Sequence, residues 1–205
     1  MQNKTVPFSN KNTYKGHNPI ITFSTCWYIM KSKFSVKKYA IWIANFLSIV
    51  NNFNLVIYTD ANSLKMLLPL FDRNNNRIKI IIKPFESFYT YKYKDAWIKN
   101  HKSSNMELHK QVDWKLNMLW NEKIFFVNET IQNKYFDTPY YGWCDIGYFR
   151  NGPDDIPTYM LKSWPNNVSI IQNKNAIRYS CIQNNALIYK SLYDDITEHY
   201  NRGLK

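Results

Sequence analysis

Residues 140–150 read YYGWCDIGYFR: strand-forming aromatic residues lead directly into a carboxylate, Asp145, with Gly147 and Arg150 just beyond. A strand that stiff delivers its acid at its carboxyl end. A glycine two places on leaves room for a bulky ligand or a stretch of backbone to come close. Mg²⁺ or Mn²⁺ needs only one or two protein carboxylates when a diphosphate supplies the other oxygens, and an arginine nearby suits the diphosphate itself. Metal-assisted binding of a phosphorylated ligand is therefore within reach of this segment. So is a plain structural role, since Asp and Gly are both common in turns and Asp145 could simply cap the next one.

Other phosphate-binding and catalytic patterns are absent. There is no G-x-G-x-x-G and no G-x-x-x-x-G-K-[ST], so neither a dinucleotide loop nor a P-loop is present. G-x-S-x-G and H-E-x-x-H are also missing. The three cysteines, Cys26, Cys144 and Cys181, are widely spaced, and the four histidines show no paired spacing. Free thiols in a reducing compartment are expected, with no zinc site. A phosphorylated ligand would then be held by carboxylate-bound metal and by Lys or Arg.

The elements that must position these residues alternate along the chain. Ile20–Thr25 is a short β-rich run, and a helical repeat follows through Val36, Tyr39, Ile43, Phe46 and Val50. FNLVIYTD is a continuous apolar strand ending at Thr59 and Asp60. ANSLKMLLPLF is a short helix stopped at Pro69, and RIKIIIKP is a third strand. Residues 85–134 read as helices interrupted near Ser103-Ser104-Asn105, YYGWC as a strand, NVSIIQ as a later strand, and the tail as a helix ending near Gly203. This alternation predicts an α/β domain over 19–205, after a polar arm over 1–18, with a mostly parallel central sheet flanked by helices. Ligands of such sheets bind beyond the carboxyl ends of the strands, where Thr25, Cys26, Trp27 and Asp60 stand.

The net charge of +12 invites a nucleic-acid reading. Against it, the lysines are dispersed, and the richness in Asn, Lys, Ile, Tyr and Phe is what an A+T-rich genome produces whatever the function. Attraction to an anionic small molecule fits the charge equally well. No apolar run is long enough to span a bilayer and no signal peptide is visible, so a cytoplasmic location is expected.

The block WNEKIFFVNETIQNKYFDTPYYGWCDIGYFR, Trp120 to Arg150, resembles the HtrL/YibB-like family of glycosyltransferases, with its W-N-x-K and W-x-D-x-G-x-x-R patterns. ITFSTCWY and NLVIYTD are similar to that family's first two strands, and Ser163-Trp164-Pro165 to its Trp-Pro. The resemblance covers roughly residues 20–172. It implies a GT-A-type domain that binds a nucleotide diphosphate sugar, of the kind also found in large DNA viruses. Thr25 and Asp60 would lie on base and ribose, Lys123, Arg150 and Lys115 near the diphosphate, and Asp145 on Mn²⁺ or Mg²⁺. His199 is a further candidate metal ligand, with a solvated helix histidine as its plain alternative. Two departures stand out: Gly147 occupies the place of the second acid of D-x-D, and residues 182–191 lack the glycines of the family's acceptor-side segment.

The implied reaction transfers a hexosyl or deoxyhexosyl group from a UDP- or GDP-sugar to a hydroxyl of a glycan or protein acceptor. Asp154, Asp155, Asp194 and Asp195 are the candidate bases. The chain could be one domain of a longer protein. A basic nucleic-acid-binding module and a catalytically inactive transferase-like scaffold are the competing readings.

Overall fold

The computed structural model describes residues 19–103, 110–150 and 164–165. Four strands form one sheet: β1 (Ile21–Trp27), β2 (Asn54–Thr59), β3 (Ile78–Ile82) and β4 (Tyr140–Trp143). Their order is β3-β2-β1-β4 and every pairing is parallel. The helices are α1 (Val36–Ser48), α2 (Ala61–Leu67), α3 (Lys94–Ser103) and α4 (Lys115–Asn133), with short 3₁₀ turns at Leu68–Leu70, Phe85–Ser87 and Tyr89–Tyr93. The expected α/β architecture with a parallel sheet is thus present. The strand expected at NVSIIQ and the final helix lie outside the described residues.

Strand alternation sorts the core into two layers. Ile21, Phe23 and Trp27 of β1, with Leu55 and Ile57 of β2, pack against Ile43, Phe46 and Leu47 of α1 and Leu67 of α2. From the other face, Cys26, Tyr28, Val56 and Tyr58 meet Met118, Leu119 and Phe126 of α4, together with Phe85 and Phe88. β2 is buried along its whole length, which is why its sequence is continuously apolar. β3, at the sheet's edge, leaves Lys79 and Ile82 exposed.

Local signals set the helix starts. Ser35 caps α1, its side chain accepting from Lys38 N, and Asp60 caps α2. Buried hydroxyls fix α4 on the sheet: Thr130 Oγ1 lies 2.8 Å from Ser24 Oγ and 2.9 Å from Tyr58 Oη. Glu122, fully buried on the same helix, accepts from Tyr89 N (2.7 Å), Thr90 N (3.0 Å) and Thr90 Oγ1 (2.6 Å). One carboxylate thereby anchors the 3₁₀ turn that leads into α3. Among the described residues, no helix is long and apolar enough to cross a membrane.

Candidate functional site

In the order β3-β2-β1-β4, the chain leaves β1 toward β2 on one side and returns to β4 on the other. The gap between the carboxyl ends of β1 and β4 is therefore the sheet's switch point, where open α/β sheets place their ligands. A cleft of about 510 Å³ opens there. Cys26 and Trp27 line it from β1, Tyr39 and Trp42 from α1, Leu119, Trp120 and Lys123 from α4, and Trp143, Asp145 and Gly147 from β4 and its continuation. Lys33, Phe34 and Arg150 also reach it. The backbone ties its two sides together: Asp113 N donates to Lys31 O at 2.8 Å, joining the β1–α1 loop to the approach to α4.

The polar centre is a three-residue arrangement. Lys123 Nζ lies 2.6 Å from Asp145 Oδ1, and Trp143 Nε1 donates to the same oxygen at 2.8 Å. The Trp143 ring stacks on Phe126 at 6.0 Å and has Lys123 Nζ 5.4 Å from its centroid. Phe126 in turn stacks on the buried Tyr58 at 4.5 Å. The side chains that orient Asp145 are thus braced from the core. The turn after β4 is closed by backbone, Tyr148 N donating to Asp145 O at 2.9 Å, while the carboxylate meets Lys123 and Trp143. The Asp145 side chain remains 59% exposed.

The opposite wall is aromatic and cationic. The Arg150 guanidinium sits 5.0 Å from the Trp42 ring centroid and 5.8 Å from that of Phe34, and Lys33 Nζ lies 5.7 Å from Phe34. Trp27 packs on Tyr39 at 4.8 Å. Among the described residues its buried indole Nε1 has no hydrogen-bond partner, and neither does the buried Thr25 Oγ1. Gly147 lets this wall close: a Cβ there would sit 3.2 Å from Trp42 Cε3 and 3.7 Å from Tyr39 Cε1. The space a side chain would need is filled by α1.

The sequence candidates divide. Cys26, Trp27, Lys123, Asp145 and Arg150 meet in the cleft. Thr25 is fully buried in the strand. Asp60, at the carboxyl end of β2, gives Oδ1 to Ser63 N at 2.6 Å as the α2 cap. Lys115 places Nζ 5.3 Å from the Phe85 ring centroid at the start of α4. Neither Asp60 nor Lys115 is among the residues lining the cleft. Asp154, Asp155, Asp194, Asp195 and His199 lie outside the described residues. Sequence reasoning missed Lys33, Phe34, Tyr39, Trp42 and Trp143 as wall residues. The Trp120 ring, 48% exposed, stands at the cleft as well.

Burial pushes the Cys26 thiol well above the ordinary thiol range. The Lys123 ammonium opposes the rise and the Asp145 carboxylate adds to it. A neutral buried thiol is a wall residue, not a nucleophile. For Mn²⁺ or Mg²⁺ the described residues do not compose a fitting site. Asp145 has an ammonium and an indole N–H on one oxygen, Gly147 offers no side-chain ligand, and no second carboxylate lines the cleft among the described residues. Comparison of the chain with protein-family models, curated proteins and solved structures returns no match.

Proposed function

We propose that this chain is a GT-A-type glycosyltransferase that binds a nucleotide diphosphate sugar in the switch-point cleft. The observation that carries this reading is the juxtaposition of Lys123, Arg150 and Lys33 with flat aromatic walls at the carboxyl ends of β1 and β4. Cations suit a diphosphate, and aromatic faces suit a nucleobase or the apolar face of a sugar. The likeness of Trp120–Arg150 to the HtrL/YibB-like pattern points the same way.

In the reaction, the bond between sugar C1 and the diphosphate oxygen breaks, and its electron pair leaves on the diphosphate. The acceptor hydroxyl oxygen bonds to C1, and its proton passes to a carboxylate, for which Asp154, Asp155, Asp194 and Asp195 are the sequence candidates. Negative charge grows on the leaving diphosphate. Lys123 and Arg150 would act there as fixed charges aimed at the leaving group. Asp145 holds the Lys123 ammonium at the strand end.

Calorimetric titration with UDP, GDP, CMP and the corresponding nucleotide sugars tests this, with random duplex DNA as the comparison. The expected result is selective binding of one nucleoside diphosphate and its sugar, with only weak, salt-sensitive binding of DNA. Tight DNA binding at physiological salt, with no response to any nucleotide, would contradict it.

A further inference from the structure

We infer that Lys123, carried on Asp145, is the resident counter-cation for the diphosphate, so that the nucleotide binds without a divalent metal. This rests on the reading of the cleft as a nucleotide-sugar site. It departs from the metal-holding role that the D-x-D-like segment implies for Asp145.

The first ground is where the Asp145 carboxylate is directed. Its Oδ1 receives both Lys123 Nζ and Trp143 Nε1. A carboxylate oxygen engaged by an ammonium and an indole N–H is poorly disposed to take a third, divalent partner. The second ground is what Lys123 has left. An ammonium carries three N–H donors. One is directed at Asp145, and no second hydrogen bond engages Lys123 among the described residues. Two donors remain for phosphate oxygens, on a side chain whose charge is held in place by its partner.

The third ground is the charge of the walls. Lys33, Lys123 and Arg150 face one carboxylate, Asp145, among the residues lining the cleft. That excess of positive charge attracts a diphosphate and repels a free divalent cation. The fourth is Gly147. The direction a side chain would take from it is occupied by Trp42 and Tyr39, so the position is committed to packing against α1. The pair Lys123–Asp145 is also braced from behind, since Trp143 is stacked on Phe126. Asp145 is thus a positioning residue, acting on the diphosphate through Lys123.

The experiment is calorimetric titration of the full chain with UDP and GDP, once in EDTA and once in Mn²⁺, for wild type, Lys123→Met, Lys123→Arg and Asp145→Asn. Circular dichroism melts confirm that each variant folds. Wild type should bind its preferred diphosphate in EDTA with a Kd within about threefold of that in Mn²⁺. Lys123→Met should lose about 10- to 100-fold in EDTA, as expected for one charge-assisted partner, and Lys123→Arg should recover most of that loss. Asp145→Asn should weaken binding by about 3- to 10-fold equally in both buffers, leaving the ratio between them unchanged. Binding that appears only with Mn²⁺, and whose metal response disappears in Asp145→Asn, would overturn the inference while leaving the nucleotide-sugar reading standing. Failure of every nucleotide to bind in either buffer would overturn both.

Discussion

Lys123, midway along α4, and Asp145, just past the end of β4, meet at 2.6 Å across the mouth of the switch-point cleft. They are 22 residues apart in sequence, and the contact depends on how α4 seats on the sheet. Trp143 reinforces it by donating its indole N–H to the same carboxylate oxygen. We expect Trp143→Phe to keep the stack on Phe126 and lose only that donor. Nucleotide binding should weaken by about threefold to tenfold, with a melting temperature close to wild type. Calorimetry and a thermal melt on the same preparation check this.

Glu122 next to Lys123 points the other way, into the protein. It is fully buried and accepts three hydrogen bonds from Tyr89 and Thr90. Glu122→Ala strands those donors and leaves a void. The loss should be on the order of 3 kcal/mol, measured as a shift of the urea midpoint. Amide exchange should accelerate first around residues 89 and 90.

Much of the scaffold was legible in the sequence because single rules dominated there. FNLVIYT reads as a buried strand because its centre, Leu55-Val56-Ile57, is continuously apolar with no alternation, and the α1 repeat maps onto its buried Trp42, Ile43, Phe46 and Leu47. The site was legible where an acid and cations followed a strand, as at Asp145 and Arg150. It was less legible wherever one residue type serves two purposes. Asp60 after a strand reads as a ligand contact, yet an Asp preceding a helix is also the ordinary N-cap, and Ser63 N takes its carboxylate. Trp120 sits among apolar helix neighbours, and only the seating of α4 tells which way its ring turns. In W-N-x-K, the position between Asn and Lys looks solvated, although Glu122 carries a buried network. The aromatic wall from Phe34, Tyr39 and Trp42 was hidden because it faces the cleft from another element altogether.

Gly147 offers a packing test. A Cβ at that position would press on Trp42 Cε3 at 3.2 Å, and Trp42 is itself buried and hemmed in by Phe34 and Tyr39. Gly147→Ala should destabilise by about 1–2 kcal/mol through overpacking. It should also shift tryptophan fluorescence as the cleft wall moves. Unchanged stability and emission would mean that the wall is not fixed by this contact.

The thiols give a pH dependence with a definite sign. Burial raises Cys26 and Cys144 well above the ordinary thiol range in the folded chain. In the unfolded chain they ionise at about pH 8.5. Above that pH the unfolded state releases protons that the folded state keeps, so stability falls as pH rises toward the folded values. The decline should approach about 1.4 kcal/mol per thiol per pH unit, read from urea titrations in a Cys181→Ser background. In the same background, alkylation of the native protein at neutral pH should be slow and should become fast on unfolding.

On the proposed reading, the cleft between β1 and β4 binds and activates a nucleotide diphosphate sugar. The most direct measurement is release of nucleoside diphosphate from a panel of UDP- and GDP-sugars, followed by mass spectrometry, for wild type and Arg150→Ala. Arg150 is exposed and stacked on Trp42, so its removal should leave the fold intact. We expect wild type to release diphosphate from one member of the panel, and Arg150→Ala to be slower by about tenfold or more. If no nucleotide sugar is consumed or bound, or if folded Arg150→Ala matches wild type on the active one, the cleft is not the site of this chemistry.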